Sequence, residues 1–187
     1  MAFNFIKNVI LTESAPSKKL EQAKLPYKKD QLDPVMSEDT INYHYGKLYK
    51  TYVERYNEGE GDPDFNEAGA FLHNIYFTQF KEPQGTNKPD GAILDLIEKK
   101  FKSWDSFKDA IEKEAMSIQG SGWVYLNHRG EIKTIKNHEI RKDIVLLIDW
   151  WEHAWALDYQ ADKKKYLKNI WSIIDWQVIN TRYLPNS

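Results

Sequence analysis

The spacing of one carboxylate and one imidazole late in the chain is typical of a metal site. Asp149 and His153 lie four residues apart, directly after the apolar run 144–148, which predicts a buried strand. Where such a strand leads into a helix, the two side chains can converge on one ion. His44 and His73 lie on two earlier segments of helical pattern and could complete a site of three histidines and one aspartate. That ligand set suits iron, manganese or zinc.

The composition limits the classes of protein that this chain could be. With 187 residues it can bury a substantial core, as one large domain or two small ones. It has no cysteine, which excludes disulfides and thiolate ligands, fits a reducing compartment and predicts a cytoplasmic location. The net charge of −2 argues against a nucleic-acid partner. The apolar runs are far shorter than the ~18 residues of a membrane span, so we expect no membrane partner.

The first part of the chain is predicted to be a helical hairpin domain, residues 25–85. Ser37 is a plausible N-cap of a long helix that reaches about Tyr56. A segment rich in glycine, proline and acidic residues interrupts the pattern at 57–63, and a second helix is predicted over 64–80. Residues 1–24 are predicted to be an extension outside this domain, either packed on it or partly disordered.

The second part, residues 86–187, is predicted to be an α+β domain that follows a linker over 81–91. The predicted helices are 93–102 and 104–118, with Ser103 between them as a cap, then about 151–158 and 163–181. The predicted strands are 123–127, 132–136 and 144–148, the first two forming a hairpin through the turn that contains His128. We assign no function to this fifth histidine.

Several motifs, in order along the chain, resemble those of one known family. Residues 149–154, D-W-W-E-H-A, resemble the D-x-W-E-H-A signature of the iron/manganese superoxide dismutases. Further resemblances are L-P-Y at 25–27, the first ligand helix at 42–47 and 51–53, His73 as the ligand of the second helix, and Q-G-S-G-W at 119–123. The resemblance covers roughly residues 25 to 183.

The resemblance implies a fold, an activity and a cofactor. The fold is a helical hairpin followed by an α/β domain with a three-stranded antiparallel sheet. The activity is the disproportionation of superoxide to dioxygen and hydrogen peroxide at one Fe or Mn ion per subunit. The ligands would be His44, His73, Asp149 and His153, and the protein would be a homodimer, possibly a tetramer.

The resemblance also assigns roles to aromatic residues around the ion. By resemblance, Tyr52 would be the gateway tyrosine. The spacing of His44, Leu48 and Tyr52 also predicts a row along one helix face. Trp123 and Trp151 would be walls of the cavity. The alternative for each of these residues is ordinary packing in an aromatic-rich core.

His138 departs from the family pattern. Manganese-type members place a glutamine near this point to bond the solvent on the metal, whereas iron-type members supply it from the second helix, where this chain has Gly69. We therefore expect His138 to contact that solvent without being a fifth ligand. The substitution leaves the choice between iron and manganese open.

The resemblance implies further contacts at a subunit interface. Glu152 would reach the metal ligand His153 of the partner subunit, although a surface glutamate is the alternative. Leu48 and Ala156 stand where the family has a histidine and a tyrosine that meet across this interface. Their joint loss would replace a polar pair with an apolar one and leave no orphaned hydrogen-bonding group.

Two other functions stay open at this point. The first is a catalytically weak metal-binding relative, which the changes at Leu48 and Ala156 would explain. The second is a mononuclear non-haem iron oxygenase, although such sites usually have two histidines and one carboxylate with open positions. A third histidine and a tyrosine at the cavity mouth leave little room for an organic substrate.

Overall fold

A computed structural model of the chain describes residues 18–184. Residues 1–17, the larger part of the expected extension, lie outside the described residues. Within residues 18–184, no helix is both long enough and apolar enough to cross a bilayer.

The described chain begins with a segment that runs along the first long helix. The backbone of Leu20 exchanges two hydrogen bonds with the Asn57 side chain, at 2.8 and 2.9 Å. The backbone N–H of Ala23 donates to the Tyr49 hydroxyl at 3.0 Å. These side-chain bonds stand in for a strand partner, so the extended backbone is satisfied without a sheet.

The first long helix reaches from Glu38 to Glu58 and contains an irregular turn. It comprises α1 (Glu38–Tyr43), a π-helical segment (His44–Tyr49) and α2 (Lys50–Glu58). Ser37 caps it as predicted, because its hydroxyl accepts a hydrogen bond from the backbone N–H of Thr40. The helix ends at Gly59, whose left-handed φ of 70° turns the chain back.

The π-helical segment changes the face on which later residues lie. Its i→i+5 bonding adds about one residue to the turn between His44 and Tyr52. The eight residues from His44 to Tyr52 then rotate about the helix axis by about as much as seven residues of a regular α-helix. That rotation is two full turns to within ~20°. The predicted row of His44, Leu48 and Tyr52 assumed regular α-helical spacing, which the π-helical turn replaces. The wide turn nevertheless keeps Tyr52 on the same side of the helix as His44.

The second helix, α3 (Pro63–Phe77), ends three residues before its predicted limit. Asp62 caps its start by accepting a hydrogen bond from the Phe65 N–H at 2.9 Å. At its end, Gln79 and Phe80 leave the helix to pair with other elements. Phe80 forms an isolated bridge with Ile174, near the C-terminus of the described chain.

The second part contains the sheet, as predicted. Two helices, α4 (Gly91–Phe101) and α5 (Trp104–Ser117), precede β1 (Gly122–Asn127), β2 (Ile132–Lys136) and β3 (Ile144–Asp149). The strand order is β2-β1-β3 and both pairings are antiparallel. Every residue of β1 and β3 is buried, and Trp123 lies opposite Asp149 in the register. The fold class is therefore α+β, as expected.

The prediction of one continuous helix over 151–158 is wrong. The chain forms a single 3-10 turn, Glu152–Ala154, and then the short α6, Ala156–Tyr159. Trp151 before the turn is extended and Trp155 after it has φ of −138°, so neither extends a helix. The tight turn lies directly behind Asp149, whose carboxylate accepts a hydrogen bond from the backbone N–H of Trp151 at 2.8 Å.

The helix predicted over 163–181 is also interrupted. It consists of α7 (Lys163–Ile170), a 3-10 turn (Trp171–Ile173) and α8 (Trp176–Tyr183). Ile174 leaves the helical path to bridge Phe80, and Asp175 then caps α8 by accepting a hydrogen bond from the Gln177 N–H. A long-range pairing therefore overrides the local helical pattern.

Gln79 covers the free edge of β3. Its fully buried amide accepts a hydrogen bond from the Leu147 N–H at 3.2 Å and donates to the Leu147 carbonyl. Arg182 of α8 donates to the Gln79 amide oxygen at 3.1 Å and to the Ile75 carbonyl at 2.7 Å. The Gln79 side chain thus takes the place of a neighbouring strand and connects the helical hairpin to the sheet.

Replacing Gln79 with leucine should destabilise the fold by about 2–4 kcal/mol, because both backbone groups of Leu147 would be buried without partners. Urea denaturation measures this change. Gln177→Leu is the matched control, since Gln177 is exposed and should change the free energy of unfolding by about 0.5 kcal/mol at most. Equal effects of the two variants would contradict the role given to Gln79.

Candidate metal centre

Four side chains from separate elements converge between the helical hairpin and the β-sheet, in a region called the seam below. His44 comes from the π-helical segment, His73 from α3, Asp149 from the end of β3 and His153 from the following 3-10 turn. Their ligand atoms all lie within 4.8 Å of one another. From Asp149 Oδ2, the Nε2 atoms of His44, His153 and His73 are 3.2, 3.5 and 3.9 Å away. The structure thus brings together all of the residues that the sequence predicts as ligands.

Backbone contacts orient two of these side chains. His73 Nδ1 lies 2.6 Å from the carbonyl of Gly69, one turn earlier in α3. A carbonyl only accepts, so Nδ1 carries the proton and Nε2 keeps a free lone pair. Asp149 uses Oδ1 to accept from the Trp151 backbone, which leaves Oδ2 turned towards the histidines.

The four inward atoms are buried without hydrogen-bond partners among the described residues. They are the Nε2 atoms of His44, His73 and His153 and the Oδ2 atom of Asp149. A buried polar atom without a partner costs free energy, and several in one space are rare in a folded protein. A cation would satisfy all of them together, so this donor set fits a bound metal ion.

The protonation states also suit a cation. Burial lowers the pKa of the His44 imidazole to about 4 and lowers the pKa of His73 well below its ordinary value, so both are neutral at pH 7. Burial alone would raise the pKa of Asp149, but the surrounding imidazoles of His153 and His44 hold that pKa well below its usual range. The centre therefore offers neutral nitrogen lone pairs and one carboxylate charge.

The aromatic residues predicted for the site are at its boundary. The Tyr52 ring lies 5.3 Å from the His73 ring, between ring centroids. The Trp123 ring lies 5.1 Å from His73, edge to face, and the Trp151 ring stacks at 5.5 Å from His153. Burial raises the pKa of Tyr52 to about 12, which keeps its phenol protonated at neutral pH.

Sequence reasoning missed other members of this aromatic boundary. The Phe65 ring lies 4.7 Å from His138 and 5.9 Å from Tyr52. The Phe77 ring lies 4.8 Å from His44. Phe77 follows His73 by one helical turn, a spacing that could have revealed it. Phe65 lies two turns before His73, at the start of the same helix.

His138 lies beside the cluster but is not one of its members. Asn137, in a left-handed conformation with φ of 55°, turns the chain so that the imidazole enters the seam. Its ring stacks on Trp151 at 4.6 Å and meets Tyr52 edge to face at 4.9 Å. Nδ1 accepts a hydrogen bond from the Trp123 indole at 3.2 Å, while Nε2 is buried without a partner among residues 18–184.

Gly69 makes the space that His138 and Tyr52 occupy. A Cβ atom at this position would be 2.9 Å from Tyr52 Cγ and 3.2 Å from His138 Cδ2. The first distance is shorter than a packed carbon contact allows. A side chain at position 69 and the His138 imidazole therefore compete for the same volume.

The remaining predicted residues lie outside the cluster. Glu152 is exposed in the single chain, next to His153, whose side chain is 14% exposed. His128 lies in the turn between β1 and β2, where its backbone N–H bonds the Asp143 carbonyl.

Comparison with known proteins agrees with this description. Residues 19–62 match the alpha-hairpin domain of the iron/manganese superoxide dismutases, and residues 89–182 match the C-terminal domain of the same family. A "Superoxide dismutase [Mn/Fe]" of Porphyromonas gingivalis is 36% identical, over 87% of this chain and 98% of the relative. A "Superoxide dismutase [Fe]" of Bacteroides fragilis has the same identity and coverage. One from Sulfolobus acidocaldarius, also named "Superoxide dismutase [Fe]", is 32% identical over 89% and 94%.

The fold and the buried histidine–aspartate cluster fit a class of protein that holds one metal ion between the two parts of the chain. With the two domain matches, it follows that the chain belongs to the iron/manganese superoxide dismutase family. It is an oxidoreductase of this class, whose members use an Fe or Mn ion, and its His/Asp cluster can hold one such ion. The resemblance stated from the sequence motifs is confirmed.

Gly69→Ala should destabilise the protein by about 1–3 kcal/mol, because the added methyl forces Tyr52 or His138 out of position. Urea denaturation gives the free energy, and a crystal structure of the variant locates the displaced ring. Gly46→Ala is the matched control on the preceding helix, where a Cβ would meet nothing within 4 Å. That change should be neutral or stabilising by up to ~1 kcal/mol. A harmless Gly69→Ala would contradict the steric argument.

Proposed function

We propose that the chain disproportionates superoxide at one Fe or Mn ion held by His44, His73, Asp149 and His153. The observation that carries the ligand assignment is the set of inward atoms, three imidazole nitrogens and one carboxylate oxygen, buried without partners among the described residues. Family membership favours a dismutase over the oxygenase, and the names of the relatives favour it over the catalytically weak relative that the sequence left open.

The overall reaction is balanced by two protons: two superoxide anions and two protons give dioxygen and hydrogen peroxide. When bound at this cluster, the metal ion would supply the one-electron redox chemistry that this reaction requires. The chain supplies one carboxylate and neutral imidazoles. The loaded centre thus keeps a net positive charge, which attracts an anionic substrate.

Two hydrogen-bond donors serve the reacting oxygen atoms in this proposal. Tyr52 keeps its phenol proton, because its pKa is about 12, and its ring packs against His73 and His138. His138 brings a second polar group to the same side of the cluster. Peroxide formation consumes protons, so donors at this position can orient the anion and deliver protons to it.

The aromatic boundary has a separate role. Trp123 is fully buried, and Trp151 and Phe65 are half-buried around His138. These apolar faces exclude bulk water, which strengthens the electrostatic attraction within the site.

His73→Ala should abolish retention of Fe or Mn, because the site loses a ligand whose lone pair is oriented by the Gly69 carbonyl. Elemental analysis of purified protein, together with a superoxide consumption assay, measures both consequences. His128→Ala is the matched control, since this histidine lies in a turn outside the cluster and should leave metal content unchanged.

Asp149→Asn tests the same assignment with almost no change of volume, in case His73→Ala fails to fold. The amide removes the carboxylate charge, so metal retention should fall at least tenfold. Full metal content and activity in both variants would overturn the ligand set.

We also propose a homodimer in which Glu152 of each subunit bonds the partner subunit's His153. The exposed position of Glu152 beside a ligand, and the 57% exposure of Leu157 in the next turn, support an interface here. Leu48 and Ala156, both half-buried in the single chain, would add an apolar contact. Pairing of dimers into tetramers and a cytoplasmic location remain predictions, the latter from the absence of cysteine.

Glu152→Ala should weaken the dimer and loosen the metal together, because the partner imidazole would lose a buried hydrogen bond. Removal of one member of such a pair costs on the order of 3–5 kcal/mol. Sedimentation equilibrium measures the dissociation constant, and the rate of metal loss to a chelator reports on the site. Glu54→Ala, at an exposed helical position, is the control that should change neither quantity. A fully active monomer at micromolar concentration would rule out this arrangement.

A further inference from the structure

Residues 20–23, called the strap below, lie along the first long helix and are held by side chains of that helix. Asn57 holds the first residue of the strap by two hydrogen bonds. At the other end, the backbone N–H of Ala23 donates to the Tyr49 hydroxyl at 3.0 Å, and its carbonyl accepts from the Tyr45 hydroxyl at 2.8 Å. Each end of the strap is therefore fixed to one helix by a pair of hydrogen bonds.

The Tyr49 ring connects the strap with one of the histidines of the cluster. The ring is fully buried and stacks on the His73 imidazole, with 5.6 Å between ring centroids and an interplanar angle of 20°. It is also nearly parallel to the Phe77 ring, at 6.0 Å and 8°. Because the hydroxyl that bonds Ala23 is attached to this same ring, one rigid group extends from the strap backbone to the imidazole.

Two contacts of different kinds restrain the His73 side chain. The carbonyl of Gly69 determines which imidazole nitrogen faces the cluster. A single hydrogen bond tolerates a broad range of angles, so it does not fix the plane of the ring. The stacked Tyr49 ring closes one face of the imidazole, and a close-packed interior leaves little space for the imidazole to tilt on that side. The direction of Nε2 therefore depends on Tyr49 staying in place.

We propose that Tyr49 is a positioning residue for His73, and that loss of the metal ion begins with opening of the strap. The inference rests on the proposed ligand set. While the strap is closed, its bond to the hydroxyl holds the Tyr49 ring against the imidazole. When the strap opens, the hydroxyl loses this bond and the ring can withdraw. Local opening of such a segment is much more frequent than unfolding of the whole protein, so it sets the rate of metal loss.

The full-length chain loaded with Zn²⁺ allows both events to be followed, because this ion accepts histidine and aspartate ligands. The rate of zinc loss to excess EDTA reports on the centre. Hydrogen–deuterium exchange of the Leu20 amide reports on the strap, since this N–H is bonded to Asn57 and to neither tyrosine. We expect the two rates to change together in variants of the strap contacts.

Tyr49→Phe keeps the stacked ring and removes the hydroxyl that accepts from Ala23. Loss of one hydrogen bond of ordinary strength should raise the population of the open strap about fivefold. Exchange of the Leu20 amide and loss of zinc should therefore both become about fivefold faster. Tyr56→Phe is the matched control, because Tyr56 lies on the same helix and its hydroxyl makes no hydrogen bond to residues 18–24. That variant should change neither rate.

Asn57→Ala tests the coupling from the far end of the strap. Asn57 follows His44 by thirteen residues, about 20 Å along the helix axis at ~1.5 Å per residue. The substitution removes both bonds to Leu20 and leaves the tyrosines and the ligands unchanged. Zinc loss should accelerate at least about fivefold, together with exchange of the Ala23 amide. Glu58→Ala, at the exposed next position of the same helix, should change neither rate.

A general loss of stability would not produce this pattern. Ile111 is fully buried in α5, which contributes no ligand and no contact to the strap. Ile111→Val lowers the stability of the whole fold through a small cavity. It should leave both zinc loss and exchange of the Leu20 amide unchanged, because neither event requires global unfolding.

Faster exchange of the strap amides without faster zinc loss would overturn the proposal, and so would an equal rise of zinc loss in Ile111→Val. If Tyr49→Phe fails to fold, Asn57→Ala decides the question alone. The measurements are independent of turnover. If both rates rise together and the Fe- or Mn-loaded protein does not consume superoxide, the proposed function fails while the role of Tyr49 is supported.

Discussion

The fold depends on how the charge of Asp149 is satisfied after burial. The carboxylate is fully buried, and one of its oxygens accepts a hydrogen bond from the backbone N–H of Trp151. The other oxygen faces imidazole nitrogens that have no hydrogen-bond partner among residues 18–184. An isolated charge is costly in a protein interior, so this carboxylate depends on the groups that face it. A cation at this point would satisfy the carboxylate oxygen and the three imidazole nitrogens together.

Because the ligands come from three separate regions, the same ion would link the two parts of the chain. Other contacts join the two parts without requiring an ion. Gln79 and Arg182 join the end of α3 to the sheet edge and to the last helix. Nearer the ligands, the hydroxyls of Tyr76 and Tyr166 lie 2.9 Å apart, and Tyr166 donates to the Asp149 carbonyl at 3.1 Å. These contacts can preorganise the ligands, so that binding the metal requires little further ordering.

The sequence predicted those features that local chemistry determines. Capping by Ser37 and Ser103 follows from the side chain itself, and the hairpin of β1 and β2 follows from two short strand-like runs that flank a glycine-containing turn. The four residues of the cluster were predicted because motifs mark them, and their convergence is a consequence of the fold. The breaks at Trp155 and Ile174 could not be predicted in this way, because they depend on a turn behind a ligand and on a pairing with Phe80. The wide turn at His44 was missed for a related reason, since the local sequence does not distinguish a π-helical turn from a turn of the α-helix on either side of it.

The space left by Gly69 also restricts how such a sequence can change over time. A larger side chain at position 69 is compatible only with a smaller or displaced group at position 138 or 52, because all three share one volume. The effect of substitution at one position therefore depends on which residue is already present at the others. A lineage that exchanges the imidazole of His138 for a polar side chain on α3 must lose the ring first, and it passes through an intermediate with a cavity beside the ligands. Because Gly69 has no Cβ atom, the order of the two substitutions is constrained as well as their identity.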